Sequence, residues 1–108
     1  MRAFTVTATH HPDRTVVTVC GEMDLDTCPQ VEEATTGLPA GDKTLYLDLT
    51  RVSFIDSMGL NTLLRLRHRV QTAGGRLVLT GLQDRPGQVL HLTDTYVLFD
   101  TSLSCSPH

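Results

Sequence analysis

The chain has no tryptophan, only two tyrosines and three phenylalanines, and no apolar run near the roughly 18 to 20 residues that a membrane-spanning helix needs. Met1-Arg2-Ala3-Phe4 opens a polar, alternating segment rather than a signal peptide. The expected address is the cytoplasm, away from any membrane. An excess of positive charge is also missing. The formal net charge is −3, which gives no electrostatic basis for holding nucleic acid or an anionic bilayer. A protein partner suits this balance better. Cys20, Cys28 and Cys105 are odd in number, widely spaced and form no Cys-x-x-Cys pair, so neither a disulfide framework nor a zinc site is expected. There is no internal repeat, linker or low-complexity block. The 108 residues therefore read as one domain, with a core over about residues 3–100 and a loosely ordered tail over 101–108.

What is present is a globular composition, 40% apolar and 19% charged, with few aromatics. The core must therefore be aliphatic. Phe4, Val6 and Ala8 alternate with threonines, the period of a half-buried strand. Pro12-Asp13 marks a turn, and Thr15 to Cys20 is a β-branched run closed by Gly21. Thr27 and Gln30 have capping-box spacing, and Pro29 falls in the first turn of the helix they would open. That helix should run to about Thr36, with Val31 and Ala34 inward and Leu38 just beyond, before Gly37, Pro39 and Gly41 end it.

Leu45, Leu47 and Leu49 alternate again, and Val52, Phe54 and Ile55 prolong the apolar signal. Leu60, Leu63, Leu64, Leu66 and Val70 then recur at spacings of three and four, predicting a helix of about four turns that Gly74-Gly75 stops. Arg76 to Gly81 reads as a buried strand, Pro86 to Leu92 as a third helix, and Tyr96 to Phe99 as a last strand. The order is β-β-α-β-α-β-α-β. The expected fold class is α/β, a mixed and largely parallel sheet with helices packed on one side.

The stretch richest in possible chemistry is Phe54-Ile55-Asp56-Ser57-Met58-Gly59-Leu60, where a buried strand runs straight into an amphipathic helix. Ser57 stands where an N-cap is expected, and Gly59 permits close backbone approach. On the residues alone this is a capped turn and needs no function.

Its surroundings add one. Gly21-Glu22-Met23-Asp24 after the second strand, Asp48-Leu49, the Asp56-Ser57-Met58-Gly59-Leu60 turn and Gly74-Gly75 before a strand follow one another in order. In this the chain resembles the STAS-domain family, specifically its stand-alone bacterial anti-sigma-factor antagonists, from Phe4 to about Phe99. The resemblance implies that Ser57 is the phosphoacceptor for an anti-sigma factor that is also a serine kinase. The unphosphorylated form would bind that partner and free the sigma factor. Phosphorylation would block binding until a phosphatase reverses it. Partner contact is assigned to Asp24, Asp56, Met58, Gly59 and Asn61. The chain would carry no cofactor of its own, ATP being bound by the kinase.

Asp24 and Asp56 read equally well as turn formers, and Met58 as either exposed or half-buried. Many relatives carry a second hydroxyl residue after the phosphoacceptor; Met58 leaves Ser57 as the only one in the turn. A hydrolytic triad with His10, His11, His68 or His91 lacks a Gly-x-Ser-x-Gly context, and no catalysis is expected. His10-His11 lacks a second pair of metal ligands. Arg65 and Arg69 share a helix face but Arg67 does not, which argues against a nucleic-acid stripe. The rival within the fold is a STAS module that binds or scaffolds without being phosphorylated.

Overall fold

The computed structural model describes residues 4–36, 44–93 and 98–102. The alternating segments become five strands in the spatial order β1-β2-β3-β4-β5. β1 (Thr5–His10) and β2 (Arg14–Met23) form an antiparallel hairpin. Its loop holds Pro12 and Asp13 and is closed by the His11 amide donating to the Arg14 carbonyl at 2.8 Å. β3 (Thr44–Ile55), β4 (Arg76–Thr80) and β5 (Asp100–Ser102) add in parallel. The crossovers carry α1 (Cys28–Thr35), α2 (Ser57–Thr72) and α3 (Asp84–Leu92). Each steps one strand in the same direction, so right-handed connections put all three helices on one face.

Period two in the strands selects that face. Val17 and Val19 of β2, Leu45, Leu47 and Leu49 of β3, and Leu77 and Leu79 of β4 are buried, and the ladder sets Val17, Leu47 and Leu79 side by side. Val31 of α1, Leu60, Leu63 and Leu66 of α2, and Leu90 of α3 close over them. Burying each such leucine is worth about 1.5 to 3 kcal/mol. α2 ends as its sequence demands: Gly74, at φ 88, donates to the Gln71 carbonyl and Gly75 to that of Val70. This satisfies carbonyls that the helix leaves open.

Three boundaries depart from the sequence reading. The last strand is Asp100–Ser102, whereas Leu98 and Phe99 form a turn. Tyr96 and Val97, and likewise Gly37 to Gly41, lie outside the described residues. The apolar signal at Phe99 comes from a core anchor, buried ahead of a polar strand, so the sheet continues past the expected domain edge at residue 100. α3 starts at Asp84, two residues before Pro86, because a proline in the first helical turn forgoes an N–H that has no intrahelical partner anyway. Thr27 is the N-cap of α1, yet its hydroxyl makes no capping bond to the helix; it is used in the preceding loop.

Candidate functional site

The site lies at the C-terminal ends of β2 and β3. Met23 and Ile55 are partners across the parallel ladder, so Asp24 and Asp56, each one residue further on, emerge beside one another. The Asp56 amide donates to the Met23 carbonyl at 3.2 Å, fastening the two chain exits together. Gly59 completes the junction. A Cβ there would stand 2.7 Å from the Met23 carbonyl oxygen and 2.9 Å from Ile55 Cγ2. The first turn of α2 can therefore seat on the end of β2 only without a side chain at this position. Gly59 is buried, which gives it a packing role in this junction.

The structure corrects the cap. Asp56, not Ser57, is the N-cap of α2: its backbone is extended (φ −99, ψ −170) and its Oδ1 accepts from the amides of Met58 and Gly59, both at 2.9 Å. Ser57 is the first helical residue. Its side chain is exposed and, among the described residues, makes no hydrogen bond. Freed from capping, the hydroxyl is available to a reagent from outside.

Asp24 shapes its own loop. Its Oδ1 accepts from the amides of Asp26 at 2.9 Å and Thr27 at 3.1 Å, while the Thr27 hydroxyl donates to the Glu22 carbonyl and receives the Asp24 amide at 2.9 Å. The carboxylate is half-buried and partly spent on this turn. Beneath it lies Cys28, the first residue of α1, next to Thr62 of α2. Burial pushes the Cys28 thiol up; the Thr62 hydroxyl opposes the rise, and the Asp56, Asp24 and Glu32 carboxylates add to it. The Thr62 hydroxyl is buried with no partner of hydrogen-bond geometry among the described residues.

The outer surface of the site is mixed. Met58 is 37% exposed, partly covered and partly open to solvent, and Leu25 is 64% exposed. Asn61 is exposed one turn beyond Ser57 and on its face of α2. Leu25 does not stand out in the sequence, where a lone leucine between Asp24 and Asp26 is an ordinary surface residue; its exposure is visible only in the structure. The α2 cations lie elsewhere: Arg65 pairs with Glu32 at 3.3 Å, Arg69 donates to Thr35 at 2.9 Å, and Arg67 donates to the Leu98 carbonyl at 2.7 Å. Among the described residues no three His, Cys, Asp or Glu side chains are grouped to hold a metal ion, and no helix is long and apolar enough to cross a membrane.

Comparison with known proteins agrees with this architecture. The STAS domain model matches residues 5–105. The chain belongs to the STAS family. Among its curated relatives, this STAS domain is similar to the anti-sigma-F factor antagonist RsfB of Mycobacterium tuberculosis, 33% identical over 92% of this chain and 84% of that protein. It is also similar to the anti-sigma-B factor antagonist of Staphylococcus aureus, 32% identical over 71% of this chain and 72% of the relative. In three dimensions it matches the crystal structure of an anti-sigma factor antagonist from Mycobacterium paratuberculosis with a TM-score of 0.82, at 26% identity, over 95% of this chain and 88% of that one.

Proposed function

We propose that this STAS domain is an anti-sigma-factor antagonist that works by partner switching, with Ser57 as its phosphoacceptor. The carrying observation is the exposed, unbonded Ser57 hydroxyl at the first position of α2, held by a capped and glycine-locked turn. In the unphosphorylated state the surface of Leu25, Met58, Asn61 and Ser57, edged by Asp24 and Asp56, docks on an anti-sigma factor and displaces its sigma factor. That partner, a serine kinase with ATP bound, transfers the phosphoryl group. Ser57 Oγ forms the new bond to the γ-phosphorus, the bond to the departing ADP oxygen breaks, and the hydroxyl proton passes to a base on the kinase.

The electrostatics favour release. A phosphoserine brings about −1.5 to −2 charges at pH 7. It is placed beside Asp56, whose Oδ1 already occupies the Met58 and Gly59 amides, the donors an anion at a helix N-terminus would use. The phosphate therefore stays in solvent, and an interface closing over it must desolvate a dianion next to a carboxylate. The fold loses nothing; the interface does. A phosphatase then restores the neutral hydroxyl.

The test incubates the chain with kinase-type anti-sigma factors and ATP, followed by mass spectrometry. Phosphate on Ser57 and loss of the complex are expected. An unmodified Ser57 with every factor that binds the chain would overturn the switch and leave a binding module.

A further inference from the structure

Among the described residues β1 is an edge strand, paired with β2 alone. The bond from His11 to Arg14 makes those two residues the closing hydrogen-bonded pair of the hairpin. Such pairs recur at every second residue of an antiparallel ladder, here Thr9–Val16, Thr7–Thr18 and Thr5–Cys20. The amides and carbonyls of Val6, Ala8 and His10 consequently point away from the sheet. Among the described residues no other element satisfies them.

Edge strands are ordinarily blunted by charge, proline, bulges or shortness. β5 is short, at three residues. β1 has none of these protections: Thr5-Val6-Thr7-Ala8-Thr9 is uncharged, contains no proline, and pairs with β2 without a register shift. We propose that this free edge is a dimerisation surface, on which a second copy of the chain pairs antiparallel about a two-fold axis through Thr7.

The occupant follows from the composition of the strand, which reads almost alike in both directions. About Thr7, the outward-pointing groups of Val6 meet those of Ala8 in the second copy and the reverse, completing hydrogen-bonded pairs. Thr5 then faces the other Thr9, and Thr7 its own equivalent, aligning threonines on one face of the joined sheet. The paired strands themselves oppose no like charges, although the chain as a whole carries −3 and each copy brings Glu33 of α1 to the groove beside Val6. On the helical face, Val6 lines a groove with Gln30, Glu33 and Ala34 of α1. The same groove on the second copy approaches across the axis, so the partner's α1 helps to close it.

The axis stands perpendicular to the sheet and inverts strand direction between copies. A continuous ten-stranded sheet results, with its two Ser57 turns at opposite ends, so each copy keeps its own partner site. The proposal is independent of the switch: Ser57 phosphorylation, assayed on the same samples, reports on that reading separately.

Sedimentation of the full chain from low to hundreds of micromolar should show a monomer–dimer equilibrium. Ala8→Pro removes an amide that β2 does not use, a substitution that edge strands accommodate, and should weaken dimerisation at least about tenfold by deleting two intermolecular hydrogen bonds. Thr7→Lys brings two ammonium groups together at the axis and should do the same. Circular dichroism should show both variants folded. Thr7→Cys should give, on mild oxidation, a crosslink mapped to position 7 of both copies. A chain that stays monomeric throughout, or a dimer indifferent to both edge variants, overturns the proposal.

Discussion

Asp56 and Ser57 are both strong helix caps by type, so the sequence could not say which of two neighbours takes the role. The extended backbone falls on Asp56, and that one fact turns Ser57 from a structural group into a free one. Asp56→Ala should cost about 0.5 to 2 kcal/mol in denaturant melts, whereas Asp56→Asn should retain most of the stability because the amide oxygen still caps. Equal losses in the two variants would mean that the charge, not the cap, is what stabilises the turn. Gly59→Ala forces a methyl against the Met23 carbonyl, which is backbone and cannot rotate aside. A loss of about 1 to 3 kcal/mol is expected, together with a reduced rate of Ser57 phosphorylation as the turn is displaced. Ser57→Ala should melt like the parent and bind an anti-sigma factor without being modified; Ser57→Asp should bind it more weakly.

At the scale of elements, long periodic segments were legible and short ones were not. The spacing of Leu60, Leu63 and Leu66 and the Gly74-Gly75 stop fix α2 almost to the residue. β5 is only three residues long, too short for periodicity to register, and the apolar signal before it belongs to a buried turn. The Asp24 loop was half legible. Its capping-box letters are present, but the Thr27 hydroxyl is bonded backward to Glu22, a contact set by tertiary structure. Cys28 follows this loop as the first residue of α1 and is buried in the core, and Cys28→Ala should cost about 0.5 to 3 kcal/mol. Because the folded thiol holds its proton above the unfolded value, its contribution is complete below the unfolded value and is lost as pH rises through the folded one. The stability gap between parent and Cys28→Ala should therefore narrow on going from neutral to strongly alkaline pH, as read from denaturation midpoints. A gap that widened would put the cause elsewhere.

For the whole molecule, the element order and the mixed, largely parallel sheet were legible, and one hairpin followed by three same-handed crossovers leaves few arrangements for the strands. Which groups converge was not, since Asp24 and Asp56 are far apart in sequence and meet only through the Met23–Ile55 register. Asp24, Asp26 and Asp56 cluster at the end that carries Ser57, so a complementary partner surface should be basic. Association rates with an anti-sigma factor are expected to fall several-fold as salt is raised, with dissociation changing less. Stopped-flow or surface-binding kinetics across ionic strengths would show it.

The Gly59 junction has a consequence for time as well as for shape. A turn fastened by the Met23 carbonyl and filled by the Asp56 cap leaves little room to rearrange, so the two states of the proposed switch would differ by a covalent bond rather than by a conformation. Conformations relax thermally; a phosphoester waits for an enzyme. Under that proposal the domain would be a memory element, written by one catalyst and erased by another, with a retention time set by the abundance of those catalysts rather than by its own folding landscape.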